Sequence, residues 1–82
     1  MLRISTETKM KPEAVIKAAA KYFTEQFGLK VKEQDEDRIE LEGGGGGVAV
    51  GVKTVEKKTQ VEVVTNEWEI QVKDFMGWLK GK

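Results

Sequence analysis

The chain of 82 residues contains no cysteine and no histidine. Without cysteine there are no disulfides, no thiol nucleophiles and no thiolate metal ligands. Without histidine the chain lacks the side chain that most often moves protons near neutral pH, which is also the commonest metal ligand. Most familiar catalytic and metal-binding arrangements are thereby excluded. We therefore expect a protein that is not an enzyme and that carries no metal and no cofactor.

Long apolar runs and an excess of charge of either sign are also missing. No stretch approaches the roughly 18 apolar residues of a membrane span, and the first residues do not join a basic segment to an apolar one. We expect a cytoplasmic protein without membrane association. Apolar residues make up 39% and charged residues 34% of the chain, with 14 basic and 14 acidic side chains. This balance is typical of one globular domain spanning 1–82.

The first third of the chain changes from a strand pattern to a helix pattern. Residues 2–7 alternate between apolar and polar side chains, which predicts a half-buried strand. From Pro12 onward apolar residues recur every three or four positions, which predicts a helix over 12–27. Pro12 suits the first helical turn, and Gly28 suits the left-handed residue that ends a helix.

Four further stretches show the alternation of strands. They cover residues 29–32, 38–42, 48–55 and 59–64. Because the segments between them are short, we expect neighbouring strands to be antiparallel. The run from Gly43 to Gly47 is predicted to be a flexible hairpin connection, since glycine is unfavourable in regular structure.

The last segment has two interpretations. Helical spacing connects Trp68, Val72, Phe75 and Leu79. This spacing predicts a helix over 67–80, with Asn66 and Glu69 as its capping pair. Alternation through Ile70 leaves open a sixth strand at 67–72 followed by a short terminal helix.

The predicted fold class is α+β, with the order β-α-β-β-β-β-α and an antiparallel sheet carrying two helices on one face. This order resembles the TATA-binding-protein-like or helix-grip arrangement, which START and birch-allergen-type lipid-binding proteins share in elaborated form. Residues 66–76 also look like the terminal helix of small helix-grip proteins. The resemblance covers the whole chain and rests on element order, so it implies a fold more than a function.

The resemblance to the transcription factor implies nucleic-acid binding through the exposed sheet face, where aromatic wedges and cations meet a bent minor groove. The charged outward positions are Arg3, Lys30, Lys32, Arg38 and Lys53 against Glu7, Glu40, Glu42 and Glu62. No outward position is aromatic, and carboxylates dilute the cations. Nucleic-acid binding therefore stays only as a disfavoured alternative.

The resemblance to lipid-binding proteins implies a small apolar ligand. All aromatic residues lie in the two predicted helices, and Phe23, Phe27, Trp68 and Phe75 are expected to face the sheet. They are candidate ligand-binding residues, but they are better explained as core. A domain of this size loses several kcal/mol of contacts, to order of magnitude, if it is hollowed for a ligand.

The glycine run is the second candidate binding element. Backbone N–H groups of Gly43, Gly44, Gly45, Gly46 and Gly47 could bind an anion, and helix-grip lipid binders carry a glycine-rich hairpin. No Gly-Lys-Ser/Thr follows the run, and the run precedes a predicted strand rather than a helix. It therefore matches neither the P-loop nor the glycine-rich loop of Rossmann domains. A plain hairpin connection explains the run better.

Carboxylates are the only candidate catalytic acids. Those between Glu33 and Asp37 lack the glycine-centred pattern of a calcium loop and are typical of a solvated turn. An enzyme using surface carboxylates is therefore disfavoured. The sequence favours a non-enzymatic interaction or small-ligand-binding domain. It also favours a homodimer through small or apolar residues on the open sheet face, which are Ala49, Gly51, Val55 and Val64.

Overall fold

A computed structural model describes residues 1–82 and shows seven elements. They are β1 (Leu2–Thr8), α1 (Pro12–Phe27), β2 (Lys30–Gln34), β3 (Arg38–Gly43), β4 (Gly46–Val55), β5 (Lys58–Asn66) and α2 (Glu69–Lys80). The predicted α+β class and element order are confirmed. Neither helix has the length and hydropathy needed to cross a bilayer.

The five strands form one sheet in the order β1-β5-β4-β3-β2, and every neighbouring pair is antiparallel. The hairpins place β2 to β5 side by side in chain order. The first strand then closes the far edge by pairing with β5, so that Leu2 lies opposite Thr65 and Thr8 opposite Thr59. On one face of the sheet α1 packs over β2, β3 and β4, while α2 packs over β1 and β5.

The core fills the space between the sheet and the helices with 16 buried apolar residues. In β4 the inward side chains Val48, Val50 and Val52 are all buried, as their alternation predicts. Buried threonines on β5 are satisfied: Thr65 Oγ1 donates to Gly47 O at 2.7 Å, and Thr59 Oγ1 donates to Met10 O. No buried side-chain polar atom lacks a hydrogen-bond partner. The buried side-chain polar groups are therefore all satisfied by hydrogen bonds.

The helix α1 begins and ends where the sequence predicts. Pro12 occupies its first turn, where a missing N–H costs nothing. Gly28 adopts the left-handed conformation with φ of 70° and donates its N–H to Thr24 O. The chain then turns so that Leu29 is buried under the helix and donates to Phe23 O at 3.1 Å. The second strand consequently starts at Lys30, one residue later than predicted.

The glycine run is more ordered than predicted. Gly43 belongs to β3, and both Gly46 and Gly47 belong to β4, so the expectation of an irregular connection over all five glycines is wrong. Only Gly44 and Gly45 form the turn, with φ of 60° and 82°. Two successive positive φ values match the two-residue type I′ turn, whose twist suits a hairpin. Glycine is needed here to make the turn tight.

The terminal helix is confirmed, and the alternative strand at 67–72 is wrong. The predicted capping pair is also wrong, because Asn66 still pairs with Gly47 in the sheet. Glu67 then turns the chain with a φ of 70°. Trp68 occupies the N-cap position of α2, and no side chain hydrogen-bonds the free N–H groups of the first turn. Ile70 lies off the buried stripe and is 73% exposed, which explains why strand-like alternation through this residue was misleading.

Candidate functional site

All six aromatic residues meet in one cluster within the helical layer. Phe23 lies at its base, with its ring edge-on to Tyr22 at 5.0 Å. The other five rings form a chain in the order Trp78, Phe75, Tyr22, Phe27 and Trp68, with successive centroids 6.0, 5.4, 5.3 and 5.7 Å apart. Such distances are those of favourable stacked and edge-on aromatic pairs. The cluster therefore joins the C-terminal part of α1 to α2.

A groove opens to solvent between the helices above this cluster. Because Tyr22 meets Phe75 while Phe27 meets Trp68, the two helices run antiparallel. The groove has a volume of about 480 Å³ and is lined by Ala18, Lys21, Tyr22, Glu25, Gln26, Asp74, Phe75 and Trp78. These eight residues define what we call the interhelical groove. Half of the lining is apolar and half is polar or charged.

Trp78 is the most exposed aromatic residue of the groove, with 46% of its surface accessible. One ring contact is with Phe75, on which it stacks at 6.0 Å. The ammonium of Lys82 lies 5.1 Å from the Trp78 ring centroid, within the range of a cation–π contact. The indole face therefore interacts with a cation in the folded chain.

The polar part of the groove is rich in unpaired charge. The three ion pairs of the structure, Arg3–Glu62, Arg38–Glu40 and Lys58–Glu7, all lie away from the groove. Lys21, Glu25 and Asp74 consequently have no ion-pair partner. Burial raises the pKa of the Tyr22 phenol, and the nearby Asp74 carboxylate raises it further. Tyr22 is thus a neutral hydrogen-bond donor at neutral pH.

The four aromatic residues singled out from the sequence divide into two pairs. Phe23 is 0% and Phe75 2% exposed, because both face the sheet. Trp68 is only partly buried, and Phe27 is 37% exposed, so the expectation that all four are core is wrong for Phe27. Phe27 is the last residue of α1 and contacts Trp68 rather than filling the core. Ligand binding by these four residues stays a prediction.

Tyr22 and Trp78 line the groove, although neither is among the candidate residues indicated by the sequence. A signal was present, since Ala18, Tyr22 and Gln26 recur every four residues, as do Asp74 and Trp78. Within these rows, Ala18, Tyr22 and Trp78 lie beside the core stripe of their helix and widen its apolar face. Recognising the groove required knowing that the two rows face each other.

The glycine hairpin is packed against the start of α2. Trp68 Nε1 donates a hydrogen bond to Gly43 O at 2.9 Å. A Cβ atom on Gly44 would lie 2.9 Å from Trp68 Cζ2, and one on Gly46 would lie 2.2 Å from Asn66 O. Close packing therefore accounts for glycine at these positions. Anion binding by Gly43, Gly44, Gly45, Gly46 and Gly47 stays a prediction.

The acidic segment between β2 and β3 is organised as a turn. The Asp37 N–H donates to Asp35 Oδ1 at 3.1 Å and lowers the pKa of Asp35. A side-chain hydrogen bond to Asp35, and then the negative charge of Asp35, raise the pKa of the Asp37 carboxyl. Next along the chain, Arg38 hydrogen-bonds Glu40 and lowers its pKa. All these groups are solvated, and no three acidic side chains converge as metal ligands would.

The open face of the sheet presents small residues between charged ones. Ala49 is paired with Glu40 and Val64, and Gly51 is paired with Arg38 and Glu62. Cross-strand ion pairs such as Arg3–Glu62 at 3.7 Å cover part of this face. It carries no aromatic side chain, whereas the helical layer holds all of them. The aromatic surface and the open sheet face are thus chemically distinct.

Comparison with known proteins adds no family to this picture. No protein-family model matches the chain, and no curated protein is significantly similar to it. The chemistry of the interhelical groove is consequently the basis on which we infer a function.

Proposed function

We propose that the chain is a non-enzymatic, small-ligand-binding domain of helix-grip type, and that its ligand binds in the interhelical groove. The observation that carries this proposal is an open, half-apolar groove in which Trp78 exposes 46% of its surface. Its volume of about 480 Å³ falls within the range of small-molecule sites. An exposed aromatic surface beside a few polar groups is the usual composition of such sites.

The position of the groove differs from the ligand pocket that the helix-grip resemblance implies. That pocket would lie between the helices and the sheet, where Phe23 and Phe75 are buried among aliphatic side chains. Opening it would separate these contacts and cost about 24 cal/mol for each Å³ of cavity. The outer groove needs no such opening. A ligand there is therefore compatible with the packed core.

The same residues give little support to an enzymatic function. The raised pKa of Tyr22 keeps the phenol protonated, so it is a poor base at neutral pH. The carboxyl groups with shifted pKa values, Asp35, Asp37 and Glu40, lie in solvent and outside the groove. Catalytic carboxyls are more often desolvated in a cleft. Binding without chemistry is the better-supported function.

Native mass spectrometry of protein purified from cells tests this proposal. We expect a small molecule to be retained by the wild-type chain and lost from Trp78→Ala, because the indole supplies the largest exposed apolar surface of the groove. Ile70→Ala is the matched control, since Ile70 lies on the same helix, is 73% exposed and does not line the groove. Equal retention by both variants would place the ligand elsewhere and contradict the proposal.

A further inference from the structure

We propose that the ligand of the interhelical groove is an organic cation, with an apolar body and an alkylammonium head. This inference rests on the proposed function and adds the chemical class of the ligand. Three features of the groove support it: the aromatic faces, the surplus of carboxylates, and the apolar lining.

The aromatic faces provide the first step. The face of an aromatic ring carries partial negative charge, and tryptophan binds cations best among the aromatic side chains. Trp78 is stacked on Phe75, which in turn stacks on Tyr22, so its ring is held in a fixed orientation. The Lys82 ammonium at 5.1 Å shows that this ring accepts a cation in the folded chain.

The charges of the groove provide the second step. Glu25 and Asp74 are acidic and Lys21 is basic, so the groove has a surplus of one negative charge. Neither carboxylate has an ion-pair partner. A cationic head is attracted by two carboxylates, whereas an anionic head is attracted only by Lys21 and repelled by both carboxylates. The charge of the groove is therefore complementary to a cation.

The apolar lining provides the third step. Ala18, Tyr22, Phe75 and Trp78 form the apolar half of a space of about 480 Å³, far more than one ammonium group fills. The remaining space suits the hydrocarbon body of a ligand. When the alkylammonium head of a ligand binds the face of Trp78, it replaces the ammonium of Lys82 there. Lys82 is consequently a competitor whose removal tightens cation binding.

Three probes of similar size and different charge separate the alternatives. Benzyltrimethylammonium, benzyl alcohol and phenylacetate are titrated into the ¹⁵N-labelled full chain, and the indole N–H resonance of Trp78 is followed. We expect the cation to bind about two- to fivefold more tightly than the neutral probe, as one exposed cation–π contact provides, and the anion to bind most weakly. Lys82→Gln should tighten cation binding about two- to fivefold for the same reason.

Charge-neutralising variants test whether the preference for the cation arises from the carboxylates of the groove. Glu25→Gln combined with Asp74→Asn should weaken the preference for the cation, because only the Trp78 ring still favours it, and should leave binding of the neutral probe unchanged. Glu36→Gln combined with Glu56→Gln is the control, because it changes the net charge equally at exposed positions outside the groove. It should leave the cation preference intact. Thermal unfolding checks that both double variants are folded.

The outcomes distinguish this inference from the proposed function. If the neutral probe moves the Trp78 resonance and binds as tightly as the cation, the groove binds ligands but the inference about charge is wrong. Tighter binding of the anion, or an equal loss of preference in the control variant, also overturns the inference. If none of the three probes moves the Trp78 resonance, both proposals fail.

Discussion

Gly44 illustrates how a single residue couples two distant parts of the chain. Its φ of 60° disfavours any side chain, and the Trp68 ring occupies the space where a Cβ would lie. Gly45 also has a positive φ, of 82°, but nothing lies within 4 Å of its Cβ position. A substitution at Gly44 therefore introduces both backbone strain and steric overlap, whereas one at Gly45 introduces backbone strain alone.

We expect Gly44→Ala to lower the free energy of unfolding by about 2–4 kcal/mol, because strain and overlap add. Gly45→Ala should cost only about 1–2 kcal/mol, from the left-handed backbone alone. Urea denaturation monitored by tryptophan fluorescence measures both. Equal losses would mean that the contact between Gly44 and Trp68 does not constrain the hairpin.

Tyr22 is the only tyrosine, and the chain has no cysteine, so its phenol can be titrated alone by ultraviolet absorbance. We expect its pKa in the folded chain to lie above the ordinary value of about 10, chiefly through burial and then through Asp74. Asp74→Asn should lower this pKa partway. A titration midpoint at or below that of free tyrosine would contradict the position of the phenol against Phe75 and Asp74.

The raised pKa of Tyr22 also makes the free energy of unfolding depend on pH. The folded chain holds the phenolic proton more tightly than the unfolded chain does. The protonated phenol therefore contributes fully to stability at pH values below the unfolded-state pKa of Tyr22. This contribution is lost as the pH rises through the folded-state pKa. We therefore expect the stability of the wild-type chain to fall more steeply in this alkaline range than that of Tyr22→Phe, which lacks the proton. Denaturation at several pH values measures the difference.

Among the elements, α1 shows why position along a helix matters as much as periodicity. Phe23 and Phe27 are four residues apart on the same stripe, yet one is 0% and the other 37% exposed. We expect Phe23→Ala to cost about 3–5 kcal/mol of unfolding free energy and Phe27→Ala less than about 2 kcal/mol. Thermal or urea denaturation measures both, and similar losses would show that Phe27 is core after all.

How much of each element could be predicted depends on whether local chemistry determines it. The bounds of α1 follow from Pro12 and Gly28, which act on their own turns. The start of α2 does not follow from Asn66, because its backbone is engaged by Gly47 from a different strand. The groove was likewise hidden, since the row with Tyr22 and the row with Trp78 meet only after both helices dock. Local signals therefore predict the order of the elements, whereas the start of α2 and the groove depend on contacts between residues far apart in the sequence.

At the scale of the whole molecule, self-association through the open sheet face stays a prediction. Ala49, Gly51 and Val64 permit close approach of a second sheet, and two-fold dimers are the commonest oligomers. We expect light scattering to give about twice the monomer mass of 9.2 kDa, and Val64→Glu to restore the monomer. A monomer mass at every concentration would contradict this prediction.

The pairing of β1 with β5 also has a consequence for the order of folding. Leu2 pairs with Thr65, so α1 and three other strands lie between the two partners along the chain. The strand β1 can therefore pair only once β5 is in place, while α1 and the three hairpins contain only local contacts. We infer that these local units form early and that β1 closes the sheet in the final, slowest step, because the pairing of β1 with β5 has the largest sequence separation in the sheet and so the largest loop-closure entropy.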